Sequence, residues 1–521
     1  MSVLQHLVIV PIVLPLFGAA VTLLIDERRL AAKAAIGVVL TIALVVVAIA
    51  LLAQVDAGGT RVYRVGDWPA PFGIVLVADR LSAAMVLLAS VLGLACLVFS
   101  LARWHREGPR FHALVQFLLM GVNGAFLTGD LFNLFVFVEV LLAASYGLAL
   151  HGSGTPRVRN GLQYIVVNLV ASLLFLIGAS LIYGATGTLN LADLAARFAQ
   201  TGPGDRVLVE TAAAILGVAF LTKAGMWPLC FWLPGTYSAA SAPSAALFAI
   251  LTKVGVYIVL RIWLLLFAGE GASSGFGASW LAAGGMATIA FGIVGVLASQ
   301  NLARLASYSV LVSSGTVLAV VAQPDAAVTS AALYYLVGST LALAALFLLV
   351  ELVERGRMPG ADVLAVTAEA FAANAPTLEA DDETGVAIPA TMALLGVSFV
   401  LCALMLAGLP PLAGFVGKFA LLGALLAPSP VPGVAWAMLV LLLVSGLAVV
   451  IAMGRAGVRR FWASPEATVP RVRVIEMAPV ALLLALCAAM TVEANPVMRY
   501  FGQAAEALHA PRDYVDSVLS R

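Results

Sequence analysis

The sequence predicts an all-α polytopic membrane protein with about fourteen transmembrane helices, arranged as two inverted five-helix repeats. Composition is the first observation: of the 521 residues, 62% are hydrophobic and only 11% are charged. A soluble domain has close to half apolar and a quarter charged residues, so this class is excluded. The second observation is a series of apolar runs of bilayer length, and the third is that two of these runs are interrupted by prolines.

A bilayer-spanning helix needs about 20 apolar residues, and fourteen segments approach or exceed this length. They are residues 3–25, 31–53, 79–102, 111–128, 131–151, 161–184, 207–233, 243–267, 278–299, 304–322, 328–351, 389–427, 433–454 and 473–491. The first run has no basic residue before it and no small-residue cleavage site after it, so we expect a retained span rather than a signal peptide.

Predicted spans 7 and 12 contain helix breakers. Pro228 lies inside span 7, Pro234-Gly235 ends its apolar run, and Pro410-Pro411 interrupts the unusually long span 12. Proline removes a backbone donor, and a broken helix at membrane depth is tolerated only inside protein or beside a water-filled cavity. Each span is therefore predicted to be two half-helices joined by an unwound segment; the alternative is a simple kink.

The two broken spans occupy matching positions if spans 4–8 and 9–13 are repeats, as in many transporters. This pattern divides the chain into N-terminal helices 1–3 (residues 1–110), a first repeat (111–267), a second repeat (278–454), and helix 14 with the C-terminal tail (473–521). No strong residue-by-residue identity joins the halves, so the prediction rests on the pattern of breaks.

Basic residues predict the orientation, because cytoplasmic loops retain Lys and Arg. Connections after odd-numbered spans carry most of them, including Arg28, Arg103, Arg157, Arg304 and Arg455. Connections after even-numbered spans carry Arg61, Arg64, Arg80, Arg197, Arg206 and Arg261. Both termini are therefore predicted to lie on the outer side of a bacterial inner membrane.

Only four of the 28 Lys and Arg residues are lysines, and Lys223, Lys253 and Lys418 lie within predicted spans. A lysine in hydrocarbon costs about 2.5 to 3.5 kcal/mol on insertion scales, so such residues usually line a hydrated cavity or have a partner. Arginine keeps its proton, whereas a desolvated lysine can release and rebind one. These lysines are candidate proton carriers; the alternative for Lys253 and Lys418 is that they reach an interface.

Glu139 is the one acidic residue that the predicted spans place near the bilayer midplane, since Asp79 and Asp130 fall at span ends. A carboxylate near Lys223 favours the charged form of both groups, and their separation could switch proton affinity. The alternative is a static ion pair that holds two helices together.

Hydroxyl groups are concentrated in spans 10 and 11 and suggest a possible water path. The candidates are Ser309, Ser313, Ser314, Tyr334, Ser339 and Thr340. Such residues are more often interhelical packing contacts. The histidines and cysteines lack ligand spacing, and neither a P-loop nor a dinucleotide-binding glycine motif is present, so no metal, cofactor or nucleic-acid partner is expected.

The runs GDLFNLFVFVEVLLAASYGL, FLTKAGMWPLCFWLPGTYSAASAPSAALFAILTKVGVY and AGLPPLAGFVGKFALL resemble the antiporter-like membrane subunits shared by Mrp-type cation/proton antiporters and the proton-pumping arm of complex I. Within that family the chain most resembles the D-type subunits of multisubunit Na⁺/H⁺ or K⁺/H⁺ antiporters. The resemblance implies that Glu139, Lys223, Lys253 and Lys418 are the proton-channel residues and that A, B, C, E, F and G-type subunits are partners.

The chain departs from this family in helices 10 and 11. Gly338 and Leu343 stand near positions that carry histidine and lysine in many members, and Ser314 stands where some have histidine. The second half-channel is then expected either to use water held by hydroxyls or to conduct protons less well.

The function implied is a secondary transporter subunit that carries H⁺ inward through Glu139/Lys223, Lys253 and Lys418 while Na⁺ or K⁺ leaves. The first alternative is a proton-pumping membrane subunit of a complex I-like NADH:quinone oxidoreductase or a membrane-bound hydrogenase. The second is a scaffold whose buried charges only hold helices in register.

Overall fold

The computed structural model describes residues 3–69, 72–200, 202, 204–269, 273–355, 390–462 and 470–519. Its first half contains α1 (Val10–Leu24), α2 (Leu30–Gly58), α3 (Arg80–Ser100), α4 (Phe111–Leu127), α5 (Leu131–Ala149), α6 (Thr155–Thr186), α7 (Leu191–Gln200), α8 (Arg206–Ala224), α9 (Leu233–Ala239) and α10 (Ala242–Leu266). Its second half contains α11 (Ala278–Ala298), α12 (Leu302–Leu318), α13 (Ala326–Glu354), α14 (Ala390–Ala407), α15 (Ala413–Leu426), α16 (Gly433–Gly457), α17 (Val474–Val492), α18 (Ala494–His509) and α19 (Arg512–Leu519).

The predicted membrane fold is confirmed. Among the described residues, 11 helices are long and apolar enough to cross a membrane, and four apolar helices are shorter. Helices α14 and α15 are the halves of predicted span 12, so these fifteen helices account for all fourteen predicted spans. Span 4 follows three crossings and span 9 follows eight, so the two five-helix sets begin on opposite faces and run in opposite directions.

Both predicted breaks are present, and each begins at a glycine. Helix α8 ends at Gly225 (φ 70°) and helix α14 ends at Gly408 (φ 76°). This left-handed conformation is open to glycine and terminates helices. Pro228, Pro410 and Pro411 follow within the non-helical segments.

The predicted role of Pro234 is wrong. Pro234 is the second residue of helix α9, which runs Leu233–Ala239, so it begins a half-helix instead of ending one. Proline fits the first turn of a helix because those backbone N–H groups have no intrahelical acceptor.

A short antiparallel hairpin, absent from the all-α prediction, joins α2 to α3. Strand β1 (Arg61–Arg64) pairs with β2 (Val75–Ala78), with Arg61 opposite Ala78. Leu76 also bridges to Thr128, and Asp130 bridges to Asn190. These contacts tie together the connections after spans 2, 4 and 6 on one face, where α19 packs against β1 and the amphipathic helix α7.

Helices α10 and α13 form the centre of the protein. Nearly all their residues are buried, and the two helices pack against each other. A helix that is apolar all round and buried is expected to lie inside a bundle. Lys253 of α10 therefore lies in the deepest part of the fold.

Candidate functional site

The three lysines predicted within spans are buried inside the protein. Their residue exposures are 7% for Lys223, 0% for Lys253 and 7% for Lys418. Their ammonium groups therefore end among protein atoms and do not reach a surface. Polar groups buried this deeply usually have hydrogen-bond partners. Lys253 and Lys418 have different ones, and Lys223 has none among the described residues.

Lys223 lies in the last turn of α8, directly before the break. Its backbone is held against α10 by Gly255, where a Cβ atom would lie 2.7 Å from the Lys223 carbonyl carbon. No side-chain or backbone acceptor among the described residues hydrogen-bonds the Lys223 Nζ atom. The close contact between α8 and α10 thus fixes the backbone of Lys223, while its ammonium group has no hydrogen-bond acceptor among the described residues.

A small cavity of about 20 Å³ adjoins Lys223. Its polar lining comes from Tyr164, Asn168, Tyr237 and Thr252. This volume is close to the minimum that one water molecule needs, and the polar atoms around it offer the required hydrogen bonds. Lys223 therefore faces a space of about one water molecule between α5, α6, α9 and α10.

Glu139 is half-buried and is held by helix α6. The Ser172 hydroxyl donates a short hydrogen bond to Glu139 Oε1. Among the described residues, no hydrogen bond or ion pair within 4.0 Å joins Glu139 to Lys223. The predicted pairing is thus not a direct contact, and any coupling between the two groups acts across a gap.

Lys253 is held by serine hydroxyls from the neighbouring helix. Its Nζ donates to Ser313 Oγ at 2.7 Å and to Ser314 Oγ at 3.0 Å. Ser313 Oγ in turn hydrogen-bonds Ser339 Oγ at 2.8 Å. A lysine on α10 and hydroxyls on α12 and α13 thus form one continuous polar cluster across three helices.

The remaining predicted hydroxyl residues lie outside this cluster. Ser309 and Thr340 donate to the carbonyls of Leu305 and Leu336, one turn back in their own helices. Tyr334 donates to the Met490 carbonyl of α17. Tyr334 therefore makes an interhelical contact, whereas Ser309 and Thr340 satisfy carbonyls within their own helices.

Lys418 has backbone partners at the second break. Its Nζ donates to the carbonyls of Ala407 at 2.9 Å and Leu406 at 3.2 Å. The last carbonyls of a helix lack intrahelical donors and carry partial negative charge, so the end of α14 attracts a cation. The break at residues 408–412, which contains Pro410 and Pro411, thereby leaves two helix-end carbonyls free to accept hydrogen bonds from Lys418.

Helix packing brings the half-helix after the second break against α13, the helix that carries Ser339. A Cβ on Gly417, the neighbour of Lys418, would lie 3.1 Å from Tyr335 Cα. Yet no hydrogen bond within the described part of the chain links Ser339 or Tyr335 to Lys418, or Lys223 to Lys253. The lysine sites are separate polar groups along the interior, and a proton passing between them needs water or side-chain movement.

Several polar residues of the site were not predicted from the sequence. Asn168 and Ser172 lie four residues apart in the apolar run of α6, and this helical spacing would have placed them on one face. Tyr237 hydrogen-bonds Thr252, the residue before Lys253, at 2.6 Å. Tyr237 gave no comparable sequence signal, because a lone tyrosine in an apolar run is usual.

A family model and two named relatives all match this chain over most of its length. The family model described as NADH:quinone oxidoreductase/Mrp antiporter, TM, matches residues 128–447. The D-type subunit of a probable K⁺/H⁺ antiporter from Rhizobium meliloti (strain 1021) is 56% identical over 529 residues, covering 99% of this chain and 98% of the relative. The D-type subunit of the Na⁺/H⁺ antiporter from Bacillus subtilis (strain 168) is 35% identical over 529 residues, covering 99% and 100%.

Solved structures share the same architecture. A chain of the Mrp complex from Dietzia sp. DQ12-45-1b superposes with a TM-score of 0.81 at 27% identity and covers 100% of both chains. A chain of respiratory complex I from Thermus thermophilus with bound NADH gives 0.77 at 21% identity, covering 99% of this chain and 100% of that one. The second likeness shows the fold alone. Together with the matched family model and the two full-length relatives, these findings show that the chain belongs to the NADH:quinone oxidoreductase/Mrp antiporter transmembrane family.

Proposed function

We propose that this chain is the proton-translocating, D-type member of a multisubunit monovalent cation/proton antiporter. Two relatives that align along nearly the whole chain are named as D-type subunits, one of a K⁺/H⁺ and one of a Na⁺/H⁺ antiporter. Its partners are then the A, B, C, E, F and G-type subunits of an Mrp assembly. The transported ions are H⁺ and Na⁺ or K⁺.

One observation carries the proposal: Lys253 is fully buried and its hydrogen-bond acceptors are the neutral hydroxyls of Ser313 and Ser314. A hydroxyl can accept a hydrogen bond from an ammonium and can also donate one to a neutral amine. The same two serines can therefore hold Lys253 before and after it gives up a proton. A purely structural lysine would be better served by a carboxylate, which can only accept when ionised.

The proposed order of proton transfer is Glu139/Lys223, then Lys253, then Lys418. The cavity beside Lys223 supports the step from Lys223 toward α10, because it is also lined by Thr252, the residue before Lys253, and one water can bridge groups that do not touch. The Ser313–Ser339 pair extends the polar cluster of Lys253 into α13. Helix α13 packs against α15, the helix that carries Lys418. Residues 111–267 and 278–454 would be the two channel repeats, flanked by residues 1–110 and 473–521.

The membrane orientation is part of the proposal. The hairpin, α7 and α19 lie together on one face of the protein, and the arginine-rich connections after odd-numbered spans lie on the other. The positive-inside rule then places the hairpin face outside the bacterial inner membrane, with both termini on that side.

The proposal is tested by substituting the first relay pair in the assembled complex. Glu139→Ala and Lys223→Ala are expected to abolish cation-dependent proton flux into vesicles that contain the complex. Lys33→Ala is the matched control, because Lys33 is a buried lysine that pairs with Glu27 at 2.6 Å outside the relay. Unchanged flux in both relay variants would remove the mechanism, and full transport after paired replacement by Glu139→Gln and Lys223→Met would favour the scaffold role.

A further inference from the structure

Helix α6 presents two buried polar side chains toward the first relay pair. Asn168 and Ser172 lie one turn apart, and Asn168 has only 1% of its surface exposed. Ser172 donates to Glu139, whereas Asn168 lines the cavity beside Lys223. Helix α6 also packs directly against α8, the helix that carries the lysine. Each member of the relay pair therefore has a polar neighbour on the same face of α6.

The Asn168 amide has an acceptor available in this cavity. Among the described residues, its side chain makes one hydrogen bond, from Nδ2 to the Tyr164 carbonyl at 2.9 Å, one turn back in α6. Because a carbonyl oxygen can only accept, this bond identifies Nδ2 as the donor. The amide oxygen Oδ1 has two lone pairs and can accept a hydrogen bond from a group in the cavity.

The three hydroxyl groups of the cavity lining are already hydrogen-bonded to protein atoms. Tyr237 Oη donates to the Phe248 carbonyl at 2.7 Å and lies 2.6 Å from Thr252 Oγ1. Tyr164 Oη shares a hydrogen bond with Ser145 Oγ at 2.7 Å. Within the described part of the chain, the amide oxygen is therefore the acceptor of this lining that has no competing donor.

The Lys223 ammonium lacks an acceptor at the same place. Its Nζ atom is buried, hydrogen-bonds no described residue and belongs to a side chain that lines the same cavity of about 20 Å³. A buried donor without a partner is costly. A water molecule fits the cavity, and it can accept from Lys223 Nζ while donating to Asn168 Oδ1. One water thus supplies a partner to both groups.

We propose that Asn168 is a positioning residue of the proton path, which together with Lys223 holds one water molecule and so gives the lysine ammonium its hydrogen-bond acceptor. The proposal rests on the transport function proposed above and adds a residue to the Lys223 site. A neutral amide suits this position because it orients the water without forming an ion pair with the lysine. A carboxylate at position 168 would attract the ammonium and favour its charged form, so the lysine would release its proton less readily.

Three substitutions test this role in vesicles that contain the whole complex. Asn168→Leu keeps the branched shape of the side chain but removes its polar atoms, and Asn168→Asp keeps the shape but adds a negative charge. Asn168→Ser is smaller and keeps an oxygen that can accept from water. We expect cation-dependent proton flux to fall roughly tenfold or more in the first two variants and no more than about threefold in the third, since only the first two disrupt hydrogen bonding to a charged group.

This order separates positioning from packing. A side chain that only fills space tolerates replacements of similar shape best and the smaller one worst, so a packing role predicts the reverse order. Asn160→Leu is the matched control. Asn160 also lies on α6 and donates from Nδ2 to a carbonyl one turn back, that of Pro156 at 2.8 Å, but it does not line the cavity. Its flux should equal that of the unmodified complex.

Flux that follows side-chain shape, or equal flux in all Asn168 variants at equal amounts of assembled complex, would overturn the assignment. If Asn168→Leu does not assemble, the comparison of Asn168→Asp with Asn168→Ser decides alone. Flux in the first of these that equals or exceeds flux in the second would then contradict the proposed role.

A double-mutant cycle tests the link to Lys223 without relying on transport. The melting temperature of the purified complex is measured for Asn168→Leu, Lys223→Met and the double variant. If one water joins the two side chains, the shifts should not be additive, and the second substitution should cost less once the first is made. Additive shifts would overturn the assignment. Coupled shifts in a complex without cation-dependent flux would support the role of Asn168 and refute the proposed transport function instead.

Discussion

Lys253 and Ser313 are joined by a 2.7 Å hydrogen bond although 60 residues separate them in the chain. Ser313 also shares a hydrogen bond with Ser339, so one hydroxyl links the central lysine to two further helices. This relationship makes Ser313 the most informative neutral residue of the site.

Ser313→Ala is expected to lower proton flux by roughly tenfold, since a hydrogen bond to a charged group contributes about 1.5 to 3 kcal/mol and 1.4 kcal/mol corresponds to tenfold in rate. Ser309→Ala is the matched control on the same helix, because Ser309 bonds only the Leu305 carbonyl one turn back. Flux is measured with a pH-sensitive dye in vesicles. Equal flux in the two variants would show that Ser313 has only a packing role.

Ser172→Ala removes the hydroxyl that donates to Glu139. The carboxylate then loses its hydrogen-bonded anchor on α6, and we expect cation-dependent proton flux to fall while assembly is retained. Ser180→Ala, on the exposed side of the same helix, should behave as the unmodified protein. A flux equal to that of Ser180→Ala would mean that the orientation of Glu139 is not limiting.

Gly255→Ala places a methyl group against the Lys223–Ala224 backbone, where the nearest atoms leave no room for it. Overpacking of this kind typically costs about 1 to 3 kcal/mol, so we expect a lower melting temperature and displacement of Lys223. Gly217→Ala, also in the first repeat, meets no atom within 4 Å and should stabilise its helix by about 0.5 to 1 kcal/mol. Thermal melting of the purified complex in detergent measures both effects. An unchanged melting temperature for Gly255→Ala would contradict the close contact between α8 and α10.

Asp79→Asn tests the buried ion pair through its pH dependence. Burial by itself raises the pKa of the Asp79 carboxyl, but the charge and hydrogen bonds of Arg261, together with Ser82, reverse this and hold the pKa below its ordinary value of 3.8. Because the folded-state pKa is the lower one, the stabilisation is fully present above the unfolded-state value and is lost as the pH falls through the folded-state value. Removing one partner of a buried pair costs about 3 kcal/mol.

The melting temperature of Asp79→Asn should therefore lie below that of the unmodified protein by a constant amount from about pH 5 to pH 8. The difference should shrink only below about pH 4. A difference that already disappears between pH 7 and pH 5 would show that the Asp79 carboxylate is not stabilised as described.

The sequence predicted the membrane fold well because apolar runs and helix breakers are local signals. Lys223, Lys253 and Lys418 were identifiable for the same reason, since a lysine in a long apolar run stands out. What these residues contact could not be predicted in the same way. Whether Ser313 or Ser309 faces Lys253 depends on the rotation of α12, and both serines give the same signal in the sequence.

Other features depend on backbone geometry or on distant residues. The acceptors of Lys418 are the main-chain carbonyls of Leu406 and Ala407, which have no side-chain signature. Arg261 and Asp79 are 182 residues apart, and their pairing follows only from the packing of α3 against α10. The hairpin was missed because its strands have four residues each, too few to show a clear alternation.

The use of lysine only in the interior has a practical consequence for mapping the assembly. Lys33, Lys223, Lys253 and Lys418 are all buried, so crosslinkers that react with lysine amines will find almost no target on this chain. Lysine crosslinking would therefore miss the contacts between this chain and neighbouring subunits. Carboxylate-directed crosslinkers would report them, because Asp26 and Asp67 are exposed on opposite faces.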